Sequence, residues 1–233
     1  KYIATGEIME KLNVLYEDNH IIVLEKKSGI LSQADKSGDV DMLTLVKSYI
    51  KEKYDKKGEV FLGLVHRLDT LTSGIMVFAR TSKAASRLSD DIRQGKMYKK
   101  YLAVFEEVME NKNGSFEDYL AKDSSKNISY VTKDKKIGKY SKLEYEVLEI
   151  KDKMSLVKIN LITGRSHQIR VQFASRGYHI VGDAKYKAKF KDKDKIALHA
   201  YELAFYHPTK KELMTFELMP DRSPFDKFDY IKL

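Results

Sequence analysis

The sequence predicts an α+β fold, a single domain built on a large, mostly antiparallel mixed sheet flanked by helices and loops. Three observations lead there. Residues 101–108, 143–150 and 155–162 alternate apolar and polar side chains with period two, the mark of half-buried strands. Two segments in the first half, beginning near Asp41 and Ser82, instead repeat their apolar residues at helical spacing. No internal repeat and no stretch rich in Pro, Gly or Ser divides the 233 residues, so strands and helices are expected to share one domain.

Taken in order, residues 1–8 precede Met9 and read as a tag or upstream remnant, with the domain running from 9 to 233. Glu17-Asp18-Asn19 has the composition of a turn, and Ile21-Ile22-Val23-Leu24 that of a strand. Asp41 can cap a helix because its carboxylate accepts an orphan N–H of the first turn; Leu45, Val46, Tyr49 and Ile50 then share a face. Residues 62–80 read as strand, polar turn and strand, with 70–74 as the interruption. Ser82 is the cap candidate for a second helix whose Ala84, Ala85, Leu88 and Ile92 line up and which stops at Gly95. Residues 111–115 are turn-rich and separate the first period-two strand from the other two. A short helix over about 166–176 follows, with Ile169 and Phe173 on one face and Gly177 as its stop. The three prolines, at 208, 220 and 224, fall beyond these elements.

Lys and Arg number 43 against 34 Asp and Glu, and the formal charge of +9 favours a polyanion such as nucleic acid as partner. Only eight of the basic residues are Arg, and two of them, Arg165 and Arg170, fall in one six-residue stretch. The absence of Cys removes thiol nucleophiles, Cys-ligated metals and disulfides together. No apolar run approaches the roughly 18 residues of a membrane span, and nothing resembles a signal peptide, so a cytoplasmic protein without membrane association is expected. Neither a Gly-x-Gly-x-x-Gly fingerprint nor a P-loop occurs, the six His show no His-Glu-x-x-His spacing, and there is no Gly-x-Ser-x-Gly elbow. The expectation is therefore no cofactor and no metal.

Two segments set charged and polar residues among apolar strand-and-turn residues: His66-Arg67-Leu68-Asp69 with Thr72-Ser73-Gly74, and Thr163-Gly164-Arg165-Ser166-His167-Gln168-Ile169-Arg170. A carboxylate between apolar strands is costly unless paired, and a guanidinium such as that of Arg165 would keep it ionised. By themselves these residues fit a buried structural ion pair as well as a reactive carboxylate. Lys185, Lys187 and Lys189, with Lys191, Lys193 and Lys195 beyond them, alternate along a basic loop suited to phosphate contacts or to solvent.

The segment 66–74 resembles the signature of the RluA-type pseudouridine synthases, which convert uridine in RNA to its C-glycoside isomer. Lys99-Lys100-Tyr101-Leu102-Ala103 is similar to the segment carrying the active-site Tyr of that family. Residues 161–171 are similar to its Thr-Gly-Arg-x-His-Gln-Ile-Arg-Val motif, Gly182-Asp183 to its Gly-Asp pair, and Leu198-His199-Ala200 with His207-Pro208 to its closing pattern. The resemblance implies a catalytic domain without the S4 RNA-binding domain of many relatives, acting as a monomer on uridines of structured rRNA or tRNA. It assigns Asp69 the part of base or nucleophile, Arg165 that of holding Asp69 charged, and Tyr101 that of stacking on the uracil. It associates Arg67 with the space left by a flipped base, and makes His66, His167, Gln168 and Arg170 the remaining RNA-side residues, bracing the site rather than performing chemistry. A non-catalytic RNA-binding or RNA-folding factor on the same fold is the alternative; the intact Asp69, Tyr101 and Arg165 favour the enzyme.

Overall fold

A computed structural model describes residues 12–192 and 195–232. The expected start at Met9, the residues before it and Lys193 lie outside the described residues. Strands and α-helices are both present, as an α+β fold requires, and every strand pair with a described register is antiparallel. The chain divides into two compact units, Lys1–Met97 with Leu203–Phe216 and Tyr98–Glu202 with Glu217–Leu233.

The first unit contains β1 (Val14–Glu17), β2 (Ile21–Lys26), α1 (Met42–Lys53), β3 (Gly63–Leu64), β4 (Ser73–Ala79) and α2 (Ser82–Arg93). β2 pairs with β4 from Ile21 opposite Ala79 to Lys26 opposite Gly74, and both strands are buried along their whole length. Burial on both faces explains why these strands read as continuous apolar runs rather than alternating ones. Gly74 sits at φ +126°, a conformation that side chains with a Cβ rarely adopt, so the start of β4 requires glycine. Asp41 caps α1 as expected, accepting from Thr44 N–H at 3.0 Å, and Met42, Leu45, Val46 and Ile50 form its buried stripe. The cap of α2 is Thr81, one residue earlier than expected: its extended backbone lets Oγ1 accept from Ala84 N–H at 3.1 Å. The expected first strand within 62–80 shrinks to Gly63–Leu64, and a loop carries the chain on to β4.

The second unit contains β5 (Tyr98–Phe105), β6 (Asn113–Asp123), β7 (Ile128–Thr132), β8 (Lys139–Lys151), β9 (Met154–Leu161) and α3 (Gln168–Ala174), with strand order β5-β9-β8-β6-β7. The turn-rich residues 111–115 run into β6, a strand that the sequence disguises with a glycine. Gly114 lies opposite Tyr145, and a Cβ there would come within 2.9 Å of the Tyr145 ring, so the aromatic neighbour demands the glycine. Phe173 of α3 is fully buried and stacks on Phe105 of β5 at 4.4 Å between centroids, meeting Phe116 of β6 and Tyr145 of β8 edge-on at 4.9 and 5.5 Å. Burying one such ring contributes roughly 1.5–3 kcal/mol, and each aromatic contact about 0.5–1.5 kcal/mol more, which anchors the short helix to the sheet. β10 (Leu198–Tyr206) contributes its first residues to the second unit and its last to the first, and β11 (Leu213–Glu217) pairs with it beyond Pro208. Pro208 therefore lies between two strands rather than after the last element. No helix among the described residues is long and apolar enough to cross a membrane.

Candidate active site

In the first unit Asp69 lies on the loop between β3 and β4. Four consecutive carbonyls of that loop are taken. Leu68 O accepts from Ser32 Oγ at 2.7 Å, Asp69 O from Thr72 N–H at 3.0 Å, Thr70 O from Gly29 N–H at 2.9 Å and Lys26 Nζ at 2.8 Å, and Leu71 O from Ser28 Oγ at 2.6 Å. Leu68 N–H in turn donates to Ser32 Oγ at 3.1 Å. The segment from Lys26 to Ser32 thus holds the loop largely through side chains rather than through a ladder. The arrangement fixes the backbone on both sides of Asp69 while leaving its side chain half-buried.

Lys26 is 0 % exposed. Burial pushes its amine down to about 7, opposed by the negative charge of Asp69, which draws it up. Sequence reasoning passed over this residue; the signal was a Lys directly ending an apolar strand just before the Gly29 turn. His66 accepts from Val77 N–H through Nε2 at 3.0 Å, tying the loop to β4. Arg67 is exposed.

In the second unit Arg165 precedes α3 and is exposed, with Nε donating to Tyr140 O at 3.0 Å. That corrects the expectation of a buried Arg165. Its backbone N–H donates to Gln168 Oε1 at 3.0 Å; the same oxygen accepts from Thr163 Oγ1 at 2.8 Å, and Gln168 Nε2 donates to Lys142 O and Gln172 Oε1. Gln168 is buried and closes the Thr163–Arg165 turn from inside. His167, in the left-handed conformation at φ 53°, begins the helix without capping it, and its Nδ1 lies 3.0 Å from Tyr186 Oη. The expected helix start near 166 therefore moves to Gln168.

Arg170 is buried and forks onto Asp183, Nε and Nη2 each 2.7 Å from a carboxylate oxygen, with both side chains withdrawn from solvent. His167, Gln168 and Arg170 are buried, and with the half-buried His66 they take part in the interior hydrogen bonding of their units, which suits residues that brace the site. Tyr101 is buried on β5, opposite Ile159 of β9. Lys99 is a second cation missed from sequence: burial pushes its amine down, and a Cβ on Gly164 would lie 3.2 Å from its Nζ, so it sits against the turn that carries Arg165. Lys185, Lys187 and Lys189 are exposed, Lys185 Nζ donating to Asn127 O at 3.0 Å.

The clamped loop that carries Asp69 in the first unit and the arginine turn of the second fall within a stretch, residues 20–175, that matches the family described as RNA pseudouridylate synthase. The chain belongs to that family. It is 34% identical over 214 residues to the "Dual-specificity RNA pseudouridine synthase RluA" of Haemophilus influenzae, covering 90% of this chain and 94% of that protein. It is 33% identical over 210 residues to the "Ribosomal large subunit pseudouridine synthase C" of Buchnera aphidicola, covering 85% of this chain and 64% of the length of that relative. The solved structure of "Human RNA Pseudouridylate Synthase Domain Containing 4" superposes with a TM-score of 0.79 at 21% identity, over 95% of this chain and 94% of the other. The fold is that of the pseudouridylate synthases.

Proposed function

We propose that this protein isomerises uridines of structured RNA to pseudouridine, with Asp69 as the reacting carboxylate. The observation that carries the reading is the Asp69 loop, whose four carbonyls from Leu68 to Leu71 are each hydrogen-bonded, so that the carboxylate is placed by a rigid backbone. The reaction breaks the N1–C1′ bond, turns the uracil while it stays bound, joins C5 to C1′ and releases the C5 proton. It is redox-neutral and needs from the protein only orientation, a carboxylate and proton transfer.

Tyr101 is assigned the face of the uracil, with its hydroxyl near the C5 proton. Tyr101→Phe is expected to retain RNA affinity within about 3-fold and lose roughly 10²–10³-fold in single-turnover rate. A normal rate would leave the ring with packing alone. Arg67 is assigned the gap left in the stack by an extruded uridine, where its exposed guanidinium can cover the neighbouring bases and offset part of the few kcal/mol of unstacking. Lys185, Lys187 and Lys189 are assigned phosphates. Replacing all three by Gln should weaken binding alike across RNA sequences and lower the slope of log affinity against log salt by about 2 to 3. An unchanged slope would return these lysines to solvent.

One relative is named for the ribosomal large subunit, so rRNA is the first place to look, with tRNA, the other structured RNA implied by the sequence resemblance, the second. The direct test is release of tritium from RNA labelled at uracil C5, followed by mapping of pseudouridine in both RNA classes with and without the gene. Binding without tritium release would favour the RNA-folding factor instead.

A further inference from the structure

In the second unit Tyr119 of β6 lies opposite Thr132 of β7 and Tyr140 of β8, and Tyr130 lies two residues before Thr132, so strand alternation puts all three tyrosines on one face of the sheet. α3 covers the other face, through Phe116 and Leu120. The tyrosine face is open: Tyr130 is 43% and Tyr140 41% exposed. Tyr119 and Tyr140 form a cross-strand pair, edge to face at 6.0 Å, of the kind that stabilises a sheet. Tyr130 has no such reason to be there. It lies opposite Ala121, and neither its ring nor its hydroxyl has a partner among the described residues.

The turn after β7 adds charge. Residues 133–139 carry Lys133, Lys135, Lys136 and Lys139 against one acid, Asp134. That acid is engaged within the turn: Oδ1 accepts from Lys136 N–H at 2.8 Å and O from Gly138 N–H at 2.9 Å, while its own N–H donates to Thr132 Oγ1 at 3.1 Å. Gly138 lets the turn close against the tyrosines, since a Cβ there would come within 2.8 Å of Tyr119 Cβ. Lys135 Nζ lies 5.3 Å from the centroid of the Tyr119 ring. Lys133, Lys136 and Lys139 are exposed, and their ammonium groups meet no carboxylate among the described residues. The acid beside Tyr140, Glu117, is neutralised by Lys142 at 2.8 Å and accepts from Tyr140 Oη at 2.9 Å, which fixes that ring.

We propose, on the reading that RNA is the substrate, that this face holds an unpaired segment of that RNA outside the reacting uridine, with bases stacked on Tyr130 and Tyr140 and phosphates on Lys133, Lys136 and Lys139. Aromatic planes accept any base and ammonium groups any phosphate, so the face meets both halves of a nucleotide without reading its sequence. A protein surface that was apolar or basic would leave the three ammonium groups without counter-charges. Arg165 Nε meets Tyr140 O at 3.0 Å, so the face borders the arginine turn of the candidate site, and RNA lying on it stays within reach of that turn.

The probe is octaadenylate, which is single-stranded and free of uridine, so its binding does not depend on the chemistry at Asp69. Fluorescence anisotropy of the end-labelled oligonucleotide should give an affinity about 10-fold weaker for Tyr130→Thr than for wild type. Thr keeps a β-branched residue in the strand, so the ring is removed and not the ladder. Tyr130→Leu, which keeps apolar area without an aromatic plane, should be weakened comparably. The chain has no Trp, so Tyr130→Trp places a single indole on the face. That variant should bind within about 3-fold of wild type, with its fluorescence quenched by the stacked base. Gln at Lys133, Lys136 and Lys139 together should lower the slope of log affinity against log salt by about 2. Wild-type affinity in Tyr130→Thr or Tyr130→Leu, an indole that bound RNA leaves unquenched, an unchanged salt slope, or a wild type that does not bind the probe overturns the proposal. Self-association of wild type that Tyr130→Thr abolishes, with affinity for octaadenylate unchanged, would give the face to a second copy of the chain instead. Tritium release from RNA labelled at uracil C5 is read in parallel on wild type. Release without octaadenylate binding removes the tyrosine face from RNA and keeps the isomerase; binding without release does the reverse.

Discussion

Asp69→Asn is expected to lower the single-turnover rate at least about 10³-fold, some 4 kcal/mol of transition-state stabilisation, while RNA affinity changes less than about 3-fold. Asn has nearly the volume of Asp, and the bonds that clamp the loop use the backbone carbonyls from Leu68 to Leu71, so none of them is lost. What the substitution removes is the charge. Lys26 then loses the negative charge that draws its amine upward, and its pKa falls below the wild-type value of about 7. A neutral amine still donates to Thr70 O, so above neutrality the variant should melt within a few degrees of wild type. Below neutrality the sign is set by linkage: an amine whose folded pKa is depressed further leaves the unfolded chain binding more protons over a wider window. The variant should therefore lose stability relative to wild type as pH falls from about 8 to about 6. A rate within about 10-fold of wild type would remove Asp69 from the chemistry. A stability difference that does not grow on acidification would show that Lys26 and Asp69 are not coupled.

Residues whose role depends on local chain geometry were legible in the sequence. Asp41 announced α1 because a capping carboxylate and the stripe from Leu45 to Ile50 are both read from neighbours in sequence. The turn around Asp69 was legible as a motif, but its clamps were not, because they come from residues 28 and 32, some 36 to 43 positions away. Lys26 was invisible for a related reason. A Lys at a strand end is ordinarily a solvated residue, and here a loop distant in sequence closes over it. β6 was hidden by Gly114, whose reason is Tyr145 across the strand pair. His66 and Gln168 look functional in sequence because they are polar residues beside the motifs, yet each completes hydrogen bonding that the fold would otherwise leave open.

The largest loss of stability is expected from Arg170→Met. Arg170 and Arg165 are five residues apart in one motif, and sequence offers no reason to treat them differently; the structure buries the first against Asp183 and exposes the second. Removing Arg170 leaves a carboxylate that is 1% exposed without its guanidinium, at a cost of about 3–5 kcal/mol. For a chain of this size that is roughly 6–20 °C in Tm. The guanidinium also lies 5.0 Å from the centroid of the Tyr186 ring, whose hydroxyl accepts from Ser129 N–H at 2.9 Å and donates to Ser129 O at 3.1 Å. The pair thus ties α3 to the 3-10 turn Ala184–Tyr186 and, through it, to β7. Replacing both partners, in Arg170→Met with Asp183→Leu, removes the stranded charge and should recover more than half of the loss, with a coupling of at least about 2 kcal/mol in a double-mutant cycle from urea unfolding. Arg165→Met, by contrast, should shift Tm by less than about 2 °C, because an exposed side chain leaves no charge behind in the interior. Any activity lost in that variant would then belong to the chemistry or to RNA binding, whereas activity lost in Arg170→Met should track the folded fraction. Equal shifts in Tm for the two single substitutions would mean that the Arg170–Asp183 pair does not hold α3 in place.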